Sequence, residues 1–159
     1  MKFGRDDRAV SIAITHVLTV GITAVLISGL LIGAGSMLDT QREQSAEATL
    51  ETIGERLAGE ISGMDRMASE NSESATIRTD HQRFASGSQY TVELRDSGCD
   101  IDEYPLVETS ECLVLTSHGE DVNVAVPIAD HVDVRENSSV TGGPIQVVWD
   151  DGITLEDQP

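Results

Sequence analysis

The chain is poor in basic residues, and lysine is almost absent. Its 159 residues contain one lysine and nine arginines against 28 acidic residues, which gives a formal net charge of −18. A surface of this charge repels nucleic acid and anionic lipid, so we expect no nucleic-acid partner. Acid-rich, lysine-poor surfaces are typical of salt-adapted proteins, and we therefore expect a halophilic source. An ordinary acidic domain is the alternative.

Motifs for catalysis or metal binding are also missing. There is no Gly-x-Ser-x-Gly nucleophile elbow, and His81, His118 and His131 lie far apart without metal-ligand spacing. We therefore predict no enzymatic activity, no catalytic residues, no metal site and no cofactor. One acidic loop has oxygen ligands that suit Ca²⁺, but it lacks the EF-hand pattern, and a solvated loop is the simpler interpretation. Its acidic residues are Asp96, Asp100, Asp102 and Glu103.

Cysteine is scarce, since only Cys99 and Cys112 are present. They do not form a Cys-x-x-Cys motif, so neither a redox pair nor a zinc site is indicated. Twelve residues separate them. We predict a disulfide between them, because both follow a long uncharged stretch that is expected to span a membrane, and disulfides persist on the outer side of a membrane. In the chain-entropy model a loop of that size contributes roughly 3 kcal/mol of stability.

Charge is missing altogether from the 29 residues Val10–Leu38, in which His16 is the only ionisable side chain. A helix of this length spans roughly 43 Å, which exceeds the ~30 Å hydrocarbon core of a bilayer. We therefore predict a transmembrane helix over residues 10–38. Gly29 and Gly33 lie four residues apart, which favours close packing of a second helix; the general frequency of glycine in membrane helices is the alternative. We interpret His16 as a neutral residue near the interface or against a neighbouring helix rather than as an intramembrane functional group.

The basic residues that do occur near this span lie mainly before it. Residues 1–9 contain Lys2, Arg5 and Arg8, whereas residues 39–51 contain only Arg42. The positive-inside rule therefore places a cytoplasmic leader (residues 1–9) inside and the rest of the chain outside. Ordinary signal cleavage near residues 33–35 is the alternative, but the apolar region is longer than that of a secretory signal.

No proline interrupts the chain between Met1 and Asp100, so the helix can continue beyond the apolar span. Apolar residues then recur at steps of three and four, which is the spacing of one helical face. We predict a single helix from Val10 to Met67, with an amphipathic part over residues 39–69. The apolar stripe of this part consists of Ala46, Leu50, Ile53, Leu57, Ile61, Met64 and Ala68.

From residue 70 onward the apolar period changes to two, which is typical of half-buried strands. We call residues 70–159 the head and predict a small antiparallel sheet with one buried face, on which the helical stripe packs. The expected fold class is thus α+β, with a long N-terminal helix on a small antiparallel β-sheet head. The predicted strands lie around Ile77, Tyr90–Leu94, Cys112–Thr116, Val122–Ile128, His131–Val134, Ile145–Trp149 and Ile153–Leu155.

One modification motif lies in the head. Asn137, Ser138 and Ser139 form an Asn-x-Ser triplet, the acceptor sequence for N-glycosylation. Such triplets also arise by chance, so both a glycosylated and an unmodified Asn137 remain open from the sequence.

The N-terminal residues resemble a known signal. The N-terminus is similar to the class III signal peptide of archaeal type IV pilins, because a charged leader is followed by Arg8-Ala9-Val10-Ser11 and then by an uncharged helix. The same run, with Thr15-His16-Val17-Leu18-Thr19, resembles haloarchaeal pilin-like proteins. The resemblance implies that a prepilin peptidase cuts the Ala9–Val10 bond, with Arg8, Ala9 and Val10 as the processing residues. It also implies that the mature helix leaves the lipid bilayer and packs against other pilin-like subunits in a cell-surface filament.

Two departures from that family favour a minor pilin or pseudopilin over a major subunit. Major haloarchaeal pilins usually carry Ser-Pro-Val after the cut, where this chain has Ser11-Ile12-Ala13. The glutamate that is common near the start of bacterial pilin helices is also missing, since the fifth mature residue would be Ile14. The alternative function is an uncleaved, signal-anchored, single-span surface protein whose acidic head is a binding module. Cleavage at Ala9–Val10 distinguishes the two.

Overall fold

A computed structural model describes residues 7–68, 74–99, 104 and 109–158, with side chains described from Ile14 onward. The chain divides into two compact units, Met1–Gln41 and Arg42–Pro159. Helix α1 extends over Asp7–Ala68. Its bounds lie within three residues of those predicted, and a proline-free sequence explains why it is not interrupted. The predicted α+β class is confirmed.

In the described residues of the second unit, seven strands follow the helix. They form two antiparallel sheets, with strand orders β1-β6-β7 and β4-β3-β2-β5. The strands are β1 (Ala75–Asp80), β2 (Tyr90–Arg95), β3 (Cys112–Ser117), β4 (Asn123–Pro127), β5 (Ser138–Thr141), β6 (Pro144–Trp149) and β7 (Ile153–Asp157).

The presence of two sheets corrects the prediction of a single one. Where β5 meets β7, side chains replace the backbone ladder. The Leu155 N–H donates to Ser138 Oγ at 2.9 Å, and the Thr141 N–H donates to Asp157 Oδ1 at 3.0 Å. Each bond satisfies one backbone donor of the facing edges, and β5 and β7 lie in different sheets without a ladder between them.

The predicted strand at residues 131–134 is wrong, and β5 was not predicted. Only Val134 bridges to Ile153, and the Ile153 N–H donates to the Asp133 carbonyl at 2.8 Å. Strand β5 has a single apolar residue, Val140, and is fixed by its pairing with β2. A four-residue polar strand carries too little period-two signal to be recognised from the sequence.

The core of the second unit lies between α1 and the sheets. All seven residues of the predicted helical stripe are buried, and five of them join one apolar cluster with Val92 and Leu94 of β2 and Leu113 and Leu115 of β3. Residues three and four apart share one helical face, so the stripe presents a continuous apolar surface to the strands. The predicted packing of the amphipathic part on the sheet is confirmed.

Tyr90 is the largest fully buried side chain of this core. Its hydroxyl donates to the Gln82 carbonyl at 2.6 Å, so the one polar atom of this buried side chain has a hydrogen-bond partner. Its ring lies directly against Gly142, where any Cβ would collide with it. The loop between β5 and β6 therefore needs glycine at this position. Burial raises the pKa of Tyr90 to about 12.

Candidate functional site

The predicted processing site lies at the start of α1. The helix begins at Asp7, so the backbone of Arg8, Ala9 and Val10 is helical. Residues 1–6 and the side chains of residues 7–13 lie outside the described part of the chain. Cleavage of the Ala9–Val10 bond therefore stays a prediction.

The apolar segment, which we define as residues 14–38, is exposed at every position. It contains an 18-residue window with a mean hydropathy of 2.3, none of which is buried within the protein. By length and composition this helix can cross a membrane. The segment carries thirteen large apolar side chains that are more than half exposed, among them Leu30 and Ile32 at 74% and 76%. Monomeric soluble proteins rarely expose apolar patches of this extent, so the segment marks an interaction surface for lipid or protein.

Hydroxyl groups of the apolar segment bond to carbonyl groups of their own helix. Thr19 Oγ1 donates to the Thr15 carbonyl and Thr23 Oγ1 to the Thr19 carbonyl, each at 2.8 Å, and Ser28 Oγ donates to the Ala24 carbonyl at the same distance. A hydroxyl group that is bonded in this way does not require a partner in an apolar surrounding. These residues are therefore compatible with a lipid or protein-core environment.

Gly29 and Gly33 lie on one face of the apolar segment. A Cβ added at either position would meet nothing within 4 Å, so neither glycine is required by packing inside the chain. A further shallow apolar depression surrounds Gly21 and is lined by Val17, Leu18, Ile22, Val25 and Leu26. The role of Gly29 and Gly33 in contact with a second helix stays a prediction.

Gly54 has the opposite surroundings, and the sequence did not predict them. A Cβ at this position would lie 2.6 Å from Val126 Cγ2 and 2.9 Å from Leu115 Cδ1. Glycine therefore lets α1 approach β3 and β4 more closely than any other residue would. The sequence contains no signal for this contact, because the strands opposite Gly54 are far away along the chain.

A polar contact also joins α1 to the end of β1. His81 Nε2 lies 3.2 Å from Glu60 Oε2, and Arg56 Nε donates to Glu60 Oε1 at 3.2 Å. The His81 side chain is only 1% exposed, whereas that of Glu60 is 23% exposed. This buried histidine is thus hydrogen-bonded to the helix, which gives its polar ring a partner at a buried position.

The disulfide between Cys99 and Cys112 is present, with Cα atoms 6.1 Å apart. Both cysteines are buried and form a small second cluster with Val114, against which Tyr104 and Ala125 pack. Val114 alternates along β3 with Leu113 and Leu115 of the main core, so this cluster lies on the opposite face of the sheet. The disulfide and Tyr104 therefore lie on the sheet face opposite the main core.

The acidic loop shows no metal centre in its described part. Asp100, Asp102 and Glu103 lie outside the described residues, and within those that are described no group of three or more His, Cys, Asp or Glu side chains has an arrangement for a metal ion. Nearby acidic side chains repel one another instead. Partial burial raises the pKa of Glu111, and the negative charges of Asp133, Asp96 and Asp130 raise it further.

The structure places Asn137 at an exposed position immediately before β5. Its Oδ1 accepts a hydrogen bond of 2.8 Å from the backbone N–H of Asp96, which follows β2. The side chain is thus exposed and oriented. Its modification stays a prediction.

Comparison with known proteins identifies a family. No curated protein and no solved structure matches the chain. One family model, described as a family of unknown function, DUF7266, matches residues 5–156. This match includes the residues around the predicted cleavage bond, the whole of α1 and all but the last residue of β7. The chain therefore belongs to the DUF7266 family.

Proposed function

We propose that this protein is a pilin-like structural subunit, a minor pilin or pseudopilin, of a type IV pilus-like cell-surface filament. The observation that carries the proposal is the division of α1 into two chemically different parts. The apolar segment is exposed throughout, whereas the stripe from Ala46 to Ala68 is buried on the strands. One part of the helix is thus packed within the chain, and the other remains available for contacts outside it.

The order of the elements supports the same proposal. As in pilins, the chain contains a charged leader, then an uncharged helix, then an amphipathic continuation of that helix and finally a β-sheet head. The uncharged helix is a single-pass membrane anchor with a cytoplasmic N-terminus before processing, and it packs among the helices of other subunits afterwards. Prepilin peptidase, the lipid bilayer and other pilin-like subunits are therefore its partners.

N-terminal sequencing and intact mass of the protein from its own cell membranes test the processing step. We expect a mature chain that begins at Val10, and we expect Arg8→Ala to leave Met1–Ala9 attached. The matched control is Lys2→Ala, which removes a leader charge outside the motif. A wild-type chain that retains residues 1–9 in cells with the peptidase would refute the pilin assignment and leave an uncleaved surface anchor.

Assembly is tested separately by placing bulk on the glycine face of the helix. We expect Gly29→Leu with Gly33→Leu to prevent filament formation without loss of membrane insertion, because the added side chains hold a neighbouring helix away. Ala24→Leu is the control, since Ala24 lies about 140° around the helix from Gly29 at 100° per residue. Normal filaments in the double variant would refute close packing through this face.

A further inference from the structure

The structure arranges the one Asn-x-Ser triplet of the chain as an accessible acceptor. The chain has three asparagines, and only Asn137 is followed two residues later by a hydroxyl side chain. Asn137 and Ser139 are both exposed, and Ser138 between them is half-buried, with its Oγ accepting from the Leu155 N–H. The two side chains that define the motif therefore extend from the same face of the strand.

A hydrogen bond orients the acceptor amide. The backbone N–H of Asp96 donates to Asn137 Oδ1 at 2.8 Å, which determines the side of the amide group that faces the protein. Among the described residues, no hydrogen bond engages Asn137 Nδ2. Asn137 is exposed, and the nitrogen that would form the new bond is not the atom that accepts from Asp96, so substitution at this nitrogen leaves that bond intact.

We propose that Asn137 carries an N-linked glycan. The inference rests on the proposed function in one respect, because that function places the head outside the cell. In the transfer step, Asn137 Nδ2 bonds to the anomeric carbon of a saccharide carried on a polyprenyl phosphate lipid. The anomeric C–O bond breaks, the lipid phosphate leaves with its electron pair, and Nδ2 loses one proton.

The position of Asn137 is compatible with packing of the helix in the same unit. Val140 of β5 is buried in the cluster that contains the stripe of α1, whereas Asn137, Ser139 and Thr141 are exposed. Because side chains alternate across a strand, a glycan on Asn137 leaves from the face opposite the one that packs on α1. It therefore adds bulk to the head without separating the stripe from the sheet.

Peptide mass spectrometry of the protein from its own cell membranes tests the proposal. We expect a saccharide mass on the wild-type peptide that contains Asn137. We also expect complete loss of that mass in Asn137→Gln and Ser139→Ala, and retention in Ser139→Thr. Asn123→Gln is the matched control, because Asn123 is also exposed but has no hydroxyl side chain two residues later. Equal modification of the wild-type and Ser139→Ala proteins would overturn N-glycosylation at this motif.

Two further measurements on the same preparations separate this proposal from the proposed function. An antibody against an epitope placed after Pro159 reports whether the head is outside intact cells, and N-terminal sequencing reports cleavage. An external head with unmodified Asn137 overturns the glycan and leaves the pilin proposal intact. A glycan on a chain that retains Met1–Ala9 supports the glycan and overturns the pilin proposal. An internal head overturns both.

Discussion

Adding one methyl group at Gly54 should destabilise the second unit, whereas the same change at Gly59 should stabilise it. Both glycines lie in the amphipathic part of α1, Gly54 at a buried position and Gly59 at an exposed one, and alanine at either position raises helix propensity by about 0.8–1 kcal/mol. They differ in what the new Cβ would meet. At Gly54 it would lie 2.6 Å from Val126 Cγ2, and at Gly59 it would meet nothing within 4 Å.

The collision at Gly54 determines the sign of its effect. Overpacking a core by one methyl group costs about 1–3 kcal/mol, because neighbouring side chains must leave their rotamers or the backbone must shift. Leu115 can adjust by rotation, but the β-branched Val126 has little freedom at χ1. Subtracting the gain in helix propensity leaves a net loss of up to about 2 kcal/mol for Gly54→Ala. The propensity terms cancel between the two variants, so Gly59→Ala should be more stable than Gly54→Ala by about 1–3 kcal/mol.

Denaturant unfolding of the full chain in detergent measures this difference. Trp149 is the only tryptophan, and it lies in β6 of the second unit, so its fluorescence reports on the structure under test. Gly63→Ala provides a second control, since a Cβ there also meets nothing within 4 Å. Equal free energies of unfolding for Gly54→Ala and the two controls would refute the close approach of α1 to β3 and β4.

Three further predictions concern the second unit. The Tyr90 hydroxyl stays protonated to about pH 12 in the folded chain but loses its proton near pH 10 in the unfolded chain. The free energy of unfolding of the protein should therefore fall by about 1.4 kcal/mol per pH unit from pH 10 to 12. Alkaline unfolding of Tyr90→Phe should lack this loss, and an identical profile would contradict it. The pKa of Glu111 is higher in the folded chain than in the unfolded chain, so the ionised carboxylate destabilises the folded protein at neutral pH. Glu111→Gln removes this charge and should stabilise the protein at neutral pH by less than about 1 kcal/mol. Urea titrations should show this gain shrinking as salt increases, and a salt-independent gain would exclude charge repulsion as its cause. Reducing the Cys99–Cys112 disulfide should lower the free energy of unfolding by about 3 kcal/mol, and unchanged unfolding with reductant would contradict a role in stability.

The features that the sequence predicted correctly are those with a strong local period. The stripe from Ala46 to Ala68 was assigned from steps of three and four alone, and every member is buried. Strand β2 was assigned from alternation over Tyr90–Arg95, and its burial alternates in the same way. In both cases the pattern follows from one face of a single element packing on the core, which needs no knowledge of the partner element.

The features that the sequence did not predict depend on which elements meet. Gly54 is required because α1 crosses β3 and β4 at that residue, and His81 is buried because Glu60 lies opposite it. Where the two sheets meet, the side chains of Ser138 and Asp157 bond to the backbone of the neighbouring strand. Each of these contacts joins residues that are distant along the chain, so a local pattern contains no record of it.

The energetics of α1 explain why its two parts point to different environments. Burying a large apolar side chain stabilises a protein by about 1.5–3 kcal/mol. If the thirteen exposed side chains stayed in water, tens of kcal/mol of burial free energy would not be gained, which exceeds the ~5–15 kcal/mol stability of a typical domain. The apolar segment must therefore be covered by lipid or by protein in the cell. Lipid and a bundle of like helices satisfy an uncharged surface equally well, since hydrocarbon tails are as apolar as leucine side chains. The apolar surface is thus compatible with both a membrane and a filament, and it does not determine which of the two environments the helix occupies. Under the proposed function, in which the N-terminus is cytoplasmic, the charged leader distinguishes a permanent anchor from an assembling subunit, because a helix that retains Lys2, Arg5 and Arg8 would have to carry their charges through hydrocarbon to leave that face.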